Sequence, residues 1–135
     1  MVEFNLKGGE CQGQKTMDGE QVPLVLNPDK ASSQDLGSLL SAIESNGEWF
    51  HETQLKNSAL LFRECDVVDS EGFNRVVDAS GWDNIWYVGP APRTRVCKRV
   101  WTANEGLLEE FIYYHHEMVL VSDLLGHCIC YDYKK

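Results

Sequence analysis

Apolar residues recur at helical spacing early in the chain: Leu36, Leu39, Leu40 and Ile43 fall at i, i+3, i+4 and i+7. That stripe predicts a helix within "SSQDLGSLLSAIESNG", started by Ser33 or Asp35 and stopped at Asn46-Gly47. A second short helix is expected around Glu48 to Leu55. "SALLF" (58–62) is short, apolar and bounded by Asn57 and Arg63, the pattern of a buried strand. "DSEGFNRVVDASG" predicts a third helix, with Ser70 as N-cap, Phe73, Val76 and Val77 facing inward, and Gly81 as the stop. "QVPLVLNP" (21–28) is a short apolar run closed by an Asn-Pro turn signal. Further on, "NIWYVGPAPR" reads as a strand entering a Pro/Gly loop, "RVCKRVW" as another strand, and residues 102–109 as a loop. "FIYYHHEMVLV" (111–121) is strand-like, and "SDLLGHCICYDYKK" has no clear period. The fold class expected is α+β, with strands concentrated in the second half and residues 1–20 as a flexible lead-in. Four or five short strands do not close a barrel or a sandwich, and an open sheet with unpaired edges is a liability. An incomplete fold is therefore expected.

Composition narrows the functions open to such a fold. The chain has 135 residues, 43% hydrophobic and 24% charged, which is one globular domain. Its net charge of -9 argues against nucleic-acid or anionic-membrane binding, because phosphate contacts need clustered cations. Arg93, Arg95, Lys98 and Arg99 are the local exception, readable as an anion site or, more simply, as a solvated strand face. Five cysteines, an odd number without framework spacing, and a polar opening segment without an apolar signal core favour a reducing, cytoplasmic setting. No apolar run approaches the roughly 20 residues of a membrane helix.

The one arrangement with chemical promise is His115-His116-Glu117. In a strand, residues i and i+2 project to one face, so His115 and Glu117 point together and His116 points away. An imidazole nitrogen beside a carboxylate oxygen suits Fe(II), Mn or Zn, and one further histidine would complete a two-histidine, one-carboxylate facial triad. Read alone, H-x-E is a weak signal, and a polar patch on an edge strand explains it more simply. The zinc-protease pattern H-E-x-x-H is absent. His127, Cys128 and Cys130 form a second potential cluster, but without a matching pair accidental clustering explains them better.

Taken in order, several stretches resemble one enzyme family. "NSALLFRECDV", "YVGPAPRT" (87–94), "RVWTANE" (99–105) and "HHEM" (115–118) are similar to segments of taurine dioxygenase-like (TauD/TfdA-like) oxygenases, most closely their clavaminate synthase-like branch. The likeness runs from about Val22 to Val121. It implies a double-stranded β-helix, or jelly roll, with helices outside, and dependence on Fe(II) and 2-oxoglutarate. It also implies that His115 and Glu117 are iron ligands, in agreement with the parity argument, while His116 is the variable middle residue. Asn104 and Arg93 of the "GPAPR" loop are expected at the border of a substrate pocket, with structural loop roles an equal alternative.

The same resemblance implies a distal histidine ligand and a 2-oxoglutarate-binding arginine far downstream. Neither has a counterpart before Lys135. The expected organisation is a lead-in (1–20), a truncated oxygenase domain (21–121) and a divergent tail (122–135). The expected function is that of a dioxygenase-like protein, its relatives hydroxylating small organic acids or amino-acid-like substrates, with this chain inactive or impaired. Two alternatives stay open: a non-catalytic module that self-associates through unpaired strand edges, and a small zinc-binding protein using His127, Cys128 and Cys130.

Overall fold

A computed structural model describes residues 5–30, 33–84, 92–103, 105–107, 109–111 and 113. Its main sheet has the order β1 (Leu6–Gly9), β4 (Leu24–Pro28), β5 (Leu60–Phe62). Strand β4 runs antiparallel to β1, with Leu6 opposite Pro28, and parallel to β5, with Leu24 opposite Leu60. Flanked on both sides, β4 holds the most buried strand residues, Val25 and Leu26. A parallel pair needs a crossover, supplied here by helices α1 (Leu36–Ser45) and α2 (Gly47–Asn57). Between β1 and β4 lies a small antiparallel hairpin, β2 (Lys15–Met17) and β3 (Glu20–Val22). Helix α3 (Ser70–Ala79) follows β5, and a second hairpin, β6 (Arg95–Cys97) and β7 (Val100–Trp101), lies against it.

The core forms where α1 and α2 cover the sheet. Leu39, Ala42 and Ile43 of α1 meet Leu6, Leu26 and Phe50, with Val76 and Ala79 of α3 packed at the margin. Burying each large aliphatic or aromatic side chain of this kind contributes roughly 1.5–3 kcal/mol. Phe50 carries α2 onto the end of the sheet, its ring centroid 5.7 Å from that of Phe62.

Helices α1 and α3 both begin on aspartates. Asp35 accepts from Ser38 N–H at 3.0 Å and Ser38 Oγ at 2.6 Å. The hydroxyl bond above all, then the amide bond, holds the Asp35 carboxyl below its ordinary value of 3.8. Its contribution to stability is therefore complete above that value and lost as pH falls through the lower, folded one. At α3 the cap is Asp69, accepting from Gly72 N–H at 2.7 Å, and not Ser70, which is the first helical residue. A carboxylate one residue earlier reaches the free amide and also favours the positive helix end. Gly72 is buried, and a methyl group there would meet Asp69 Oδ1 at 3.2 Å and Leu36 Cδ2 at 3.3 Å. Glycine lets α1 and α3 approach this closely.

Three further expectations need correction. Residues 6–9 and 15–17 of the supposed lead-in are strands, and Leu6 belongs to the core. The strand predicted at 95–101 is a hairpin, because Lys98 and Arg99 turn the chain. Five of the seven described strands precede Arg63, while the strands expected within 84–93 and 111–121 lie largely outside the described residues. Among the described residues the run at 58–62 holds an end strand with Leu61 exposed, β4 being its one described partner. The mixed α+β class holds, and the described sheets do not form a jelly roll. Among the described residues no helix is long and apolar enough to cross a membrane.

Candidate functional site

Chemistry proposed from the sequence converges on the hairpin β6–β7 and the chain beyond it. The two arms continue past the strands as a hydrogen-bonded ladder. Thr102 N–H donates to the Thr94 carbonyl at 2.9 Å, Thr94 N–H donates to Thr102 Oγ1 at 2.8 Å, and Glu105 N–H donates to the Pro92 carbonyl at 3.0 Å. The Thr94 hydroxyl also donates to the Glu105 carboxylate. Half-buried Arg93 sits between the two tied residues of the first arm. The second arm is tied at Thr102 and Glu105, on either side of position 104. Asn104 itself, like His115, His116, Glu117, His127, Cys128 and Cys130, lies outside the described residues.

Phe111 and Tyr113 stand in the irregular, exposed chain that precedes the histidine pair. Their rings meet edge to face with centroids 4.9 Å apart. Among the described residues no group of three His, Cys, Asp or Glu side chains is arranged to hold a metal ion.

Most of the cationic cluster is engaged by the protein itself. Arg95 Nε donates to the Lys98 carbonyl at 2.7 Å, closing the hairpin turn. Lys98 Nζ is 3.9 Å from Glu71 Oε1, an exposed pair worth little. Arg99 Nη1 lies 3.4 Å from Asp78 Oδ1, and Nη2 donates to the Trp82 carbonyl. A ready-made anion site built from all four cations is thus not what the chain forms.

Sequence reasoning passed over Asn74. It is fully buried on α3, its Nδ2 donates to Asp78 Oδ2 at 2.9 Å, and its Oδ1 accepts from Arg99 N–H at 3.0 Å. Asn57, 4% exposed at the end of α2, does the same for the other hairpin by donating to the Gln21 carbonyl at 2.8 Å. Each hairpin is pinned to a helix by one buried asparagine. A signal existed at position 74: asparagine is a poor helix former, yet it stands mid-helix, four residues before an aspartate on the same face.

Cys65 has the chemistry of an inert thiol. Burial, then the charges of Asp66 and Glu64, pushes its pKa from 9.0 up to about 11. Since the thiolate is the nucleophile, alkylation of Cys65 should keep accelerating with pH to about 11. The folded state holds this proton where the unfolded chain releases it. Stability should accordingly fall as pH rises from 9.0 toward about 11. Site-resolved alkylation checks the first point and denaturant melts across that window check the second. A rate that levels off near 9 would contradict both.

Over 128 residues, 91% of this chain, the sequence is 36% identical to a clavaminate synthase-like protein of Arabidopsis thaliana. The chain spans 39% of that relative's length. The relationship is a distant one, to the clavaminate synthase-like group. No family model matches the chain.

Proposed function

We propose that this chain carries part of a clavaminate synthase-like oxygenase fold of the TauD/TfdA-like kind. In this reading His115 and Glu117 hold Fe(II), 2-oxoglutarate is the cosubstrate, and Arg93 and Asn104 border the substrate pocket. One observation carries the proposal: 36% identity maintained over nearly the whole chain to a clavaminate synthase-like protein. The donor types agree with it, since an imidazole nitrogen and a carboxylate oxygen belong to the ligand set of a ferrous oxygenase site. When bound, iron with 2-oxoglutarate and oxygen supplies the oxidising power for hydroxylation.

The chain's own residues have narrower tasks. His115 must offer an unprotonated nitrogen, so protons compete with the metal for it. Glu117 brings the negative charge that offsets the cation. Arg93 suits the carboxylate of a small organic acid or amino-acid-like substrate, because a guanidinium grips a carboxylate through paired N–H donors. The ladder holds the Arg93 arm fixed against the arm that runs on through Asn104.

Anaerobic titration with Fe(II), or Mn(II) as a spectroscopic substitute, tests this. Affinity should fall by about tenfold or more in H115A and in E117A and stay unchanged in H116A. Equal binding by all three variants would overturn the assignment.

A second reading has its own support: among the described residues β5 ends its sheet with Leu61 exposed, an edge able to accept a strand from a second copy. A concentration-dependent dimer in size-exclusion chromatography, lost in L61K, would favour it.

A further inference from the structure

We infer that Asn46-Gly47 is a deamidation site that the fold keeps closed, and that its reaction leaves a permanent record of helix α2 leaving the core. The inference does not depend on the oxygenase reading. The chain has one Asn-Gly pair, and it stands at the corner between α1 and α2. In such a pair the Gly47 nitrogen attacks Asn46 Cγ. The bond from Cγ to Nδ2 breaks, ammonia leaves with the proton of the attacking N–H, and a five-membered succinimide remains. Water then opens the ring at either carbonyl. One product is an ordinary aspartate. The other is isoaspartate, whose main chain runs through Cβ and is longer by one methylene. Asparagine is thermolabile by this route, and glycine shields its own nitrogen least because it has no Cβ.

The fold does not require glycine at position 47. It is not among the glycines with positive φ, and a methyl group there would meet nothing within 4 Å beyond its own stretch of chain. Asn46, by contrast, is held in a geometry that forbids ring closure. Closure needs Cβ eclipsed with the Gly47 nitrogen about the Cα–C bond, and at a ψ of 27° Cβ lies nearly opposite it. The carboxamide is tied elsewhere: Nδ2 donates to the Ala42 carbonyl at 2.8 Å, and Asn46 is 9% exposed. Its carbonyl accepts from Phe50 N–H at 3.0 Å. The ψ of Asn46 also sets the direction of α2 against α1. Turning it to the closing value therefore swings α2 away, breaks the bond from Phe50 N–H and withdraws the buried Phe50 from the core. Reaction and opening are one motion, and the reaction is as rare as the opening. Isoaspartate then lengthens the corner and leaves the Ala42 carbonyl without its donor, so α2 no longer fits its place.

Incubating the intact chain in mildly alkaline buffer, with and without urea above its unfolding transition, tests this. Peptide mass spectrometry reads the mass gain at Asn46, and fragmentation distinguishes isoaspartate from aspartate. Reaction should be at least about a hundredfold slower in buffer than in urea, a ratio set by the opening equilibrium. G47A should lose most of the reaction in urea. F50L keeps the Asn-Gly pair but weakens the anchor of α2, so it should react faster than the parent in buffer and equally in urea. A measurement on the parent alone asks the same question: below the transition, the rate should rise with urea in step with hydrogen exchange at Phe50 N–H. Equal rates in buffer and urea would overturn the gating, and an unreacted Asn46 in urea would overturn the site. G47A reacting as the parent does would overturn the ring-closure route. Deamidation that fails to track Phe50 exchange would refute the link to α2. Returned to buffer, the isoaspartate form should unfold at lower urea than N46D, which carries the same charge on an ordinary backbone. Equal midpoints would refute the permanent record.

Discussion

Leu39→Ala should lower the unfolding free energy by about 2–5 kcal/mol, the range for truncating a well-packed core leucine. Leu39 is 2% exposed and sits in one cluster with Leu6, Leu26, Ile43 and Phe50, which come from β1, β4, α1 and α2. Removing its isobutyl group forfeits the transfer term and leaves a hollow. The two layers cannot readily collapse into it, because β4 is held between β1 and β5. Domains of this size are stable by only about 5–15 kcal/mol, so a loss in that range is a large share of the total. Leu55 provides the contrast: same residue type, same pair of covering helices, 69% exposed. Leu55→Ala should stay within about 0.5 kcal/mol of the parent. Urea melts of both variants make the comparison. Similar small losses at the two positions would mean that the interface of α1 with the sheet is not the centre of the core.

The α1 stripe was legible because a helical period repeated over eight residues leaves little choice of element, and Leu39, Leu40 and Ile43 are indeed buried. Leu60–Phe62 was legible as a strand, though not as an end strand, since sheet order depends on what lies beside it. The strands at Leu6–Gly9 and Lys15–Met17 were missed for a related reason. Their glycines and charges give no alternation, and they exist because β4 and a neighbouring strand offer partners. Lys98-Arg99 did not announce a turn, having neither Gly, Pro, Asn nor Asp. Its turn is closed from outside by Asn74 and from within by Arg95. For the site, pairing His115 with Glu117 followed from strand parity alone, and both positions lie outside the described residues. Asn74 escaped because a polar residue in an amphipathic helix is ordinarily assigned to the wet face, and only the hairpin's arrival makes it interior.

Asn74→Ala carries the second large effect, expected at about 2–4 kcal/mol. Truncation removes both hydrogen bonds of the carboxamide and gains no apolar burial in return. The Arg99 N–H loses its acceptor in a place with little water, at a cost of roughly 1–3 kcal/mol for a buried unsatisfied donor. The lost bond to Asp78 involves a charged acceptor, but that carboxylate is half exposed and is also faced by Arg99, so water and the guanidinium recover part of it. Asp78→Ala should therefore cost less than Asn74→Ala, even though it removes a formal charge. That ordering sets burial against charge directly: a surface ion pair counts for about 0–1 kcal/mol, while an orphaned interior amide counts for more. Denaturant melts give the ranking, and hydrogen exchange at Arg99 shows whether the hairpin has come loose. If Asp78→Ala proved the more damaging, the ion pair and not the buried asparagine would be what holds β6–β7 to α3.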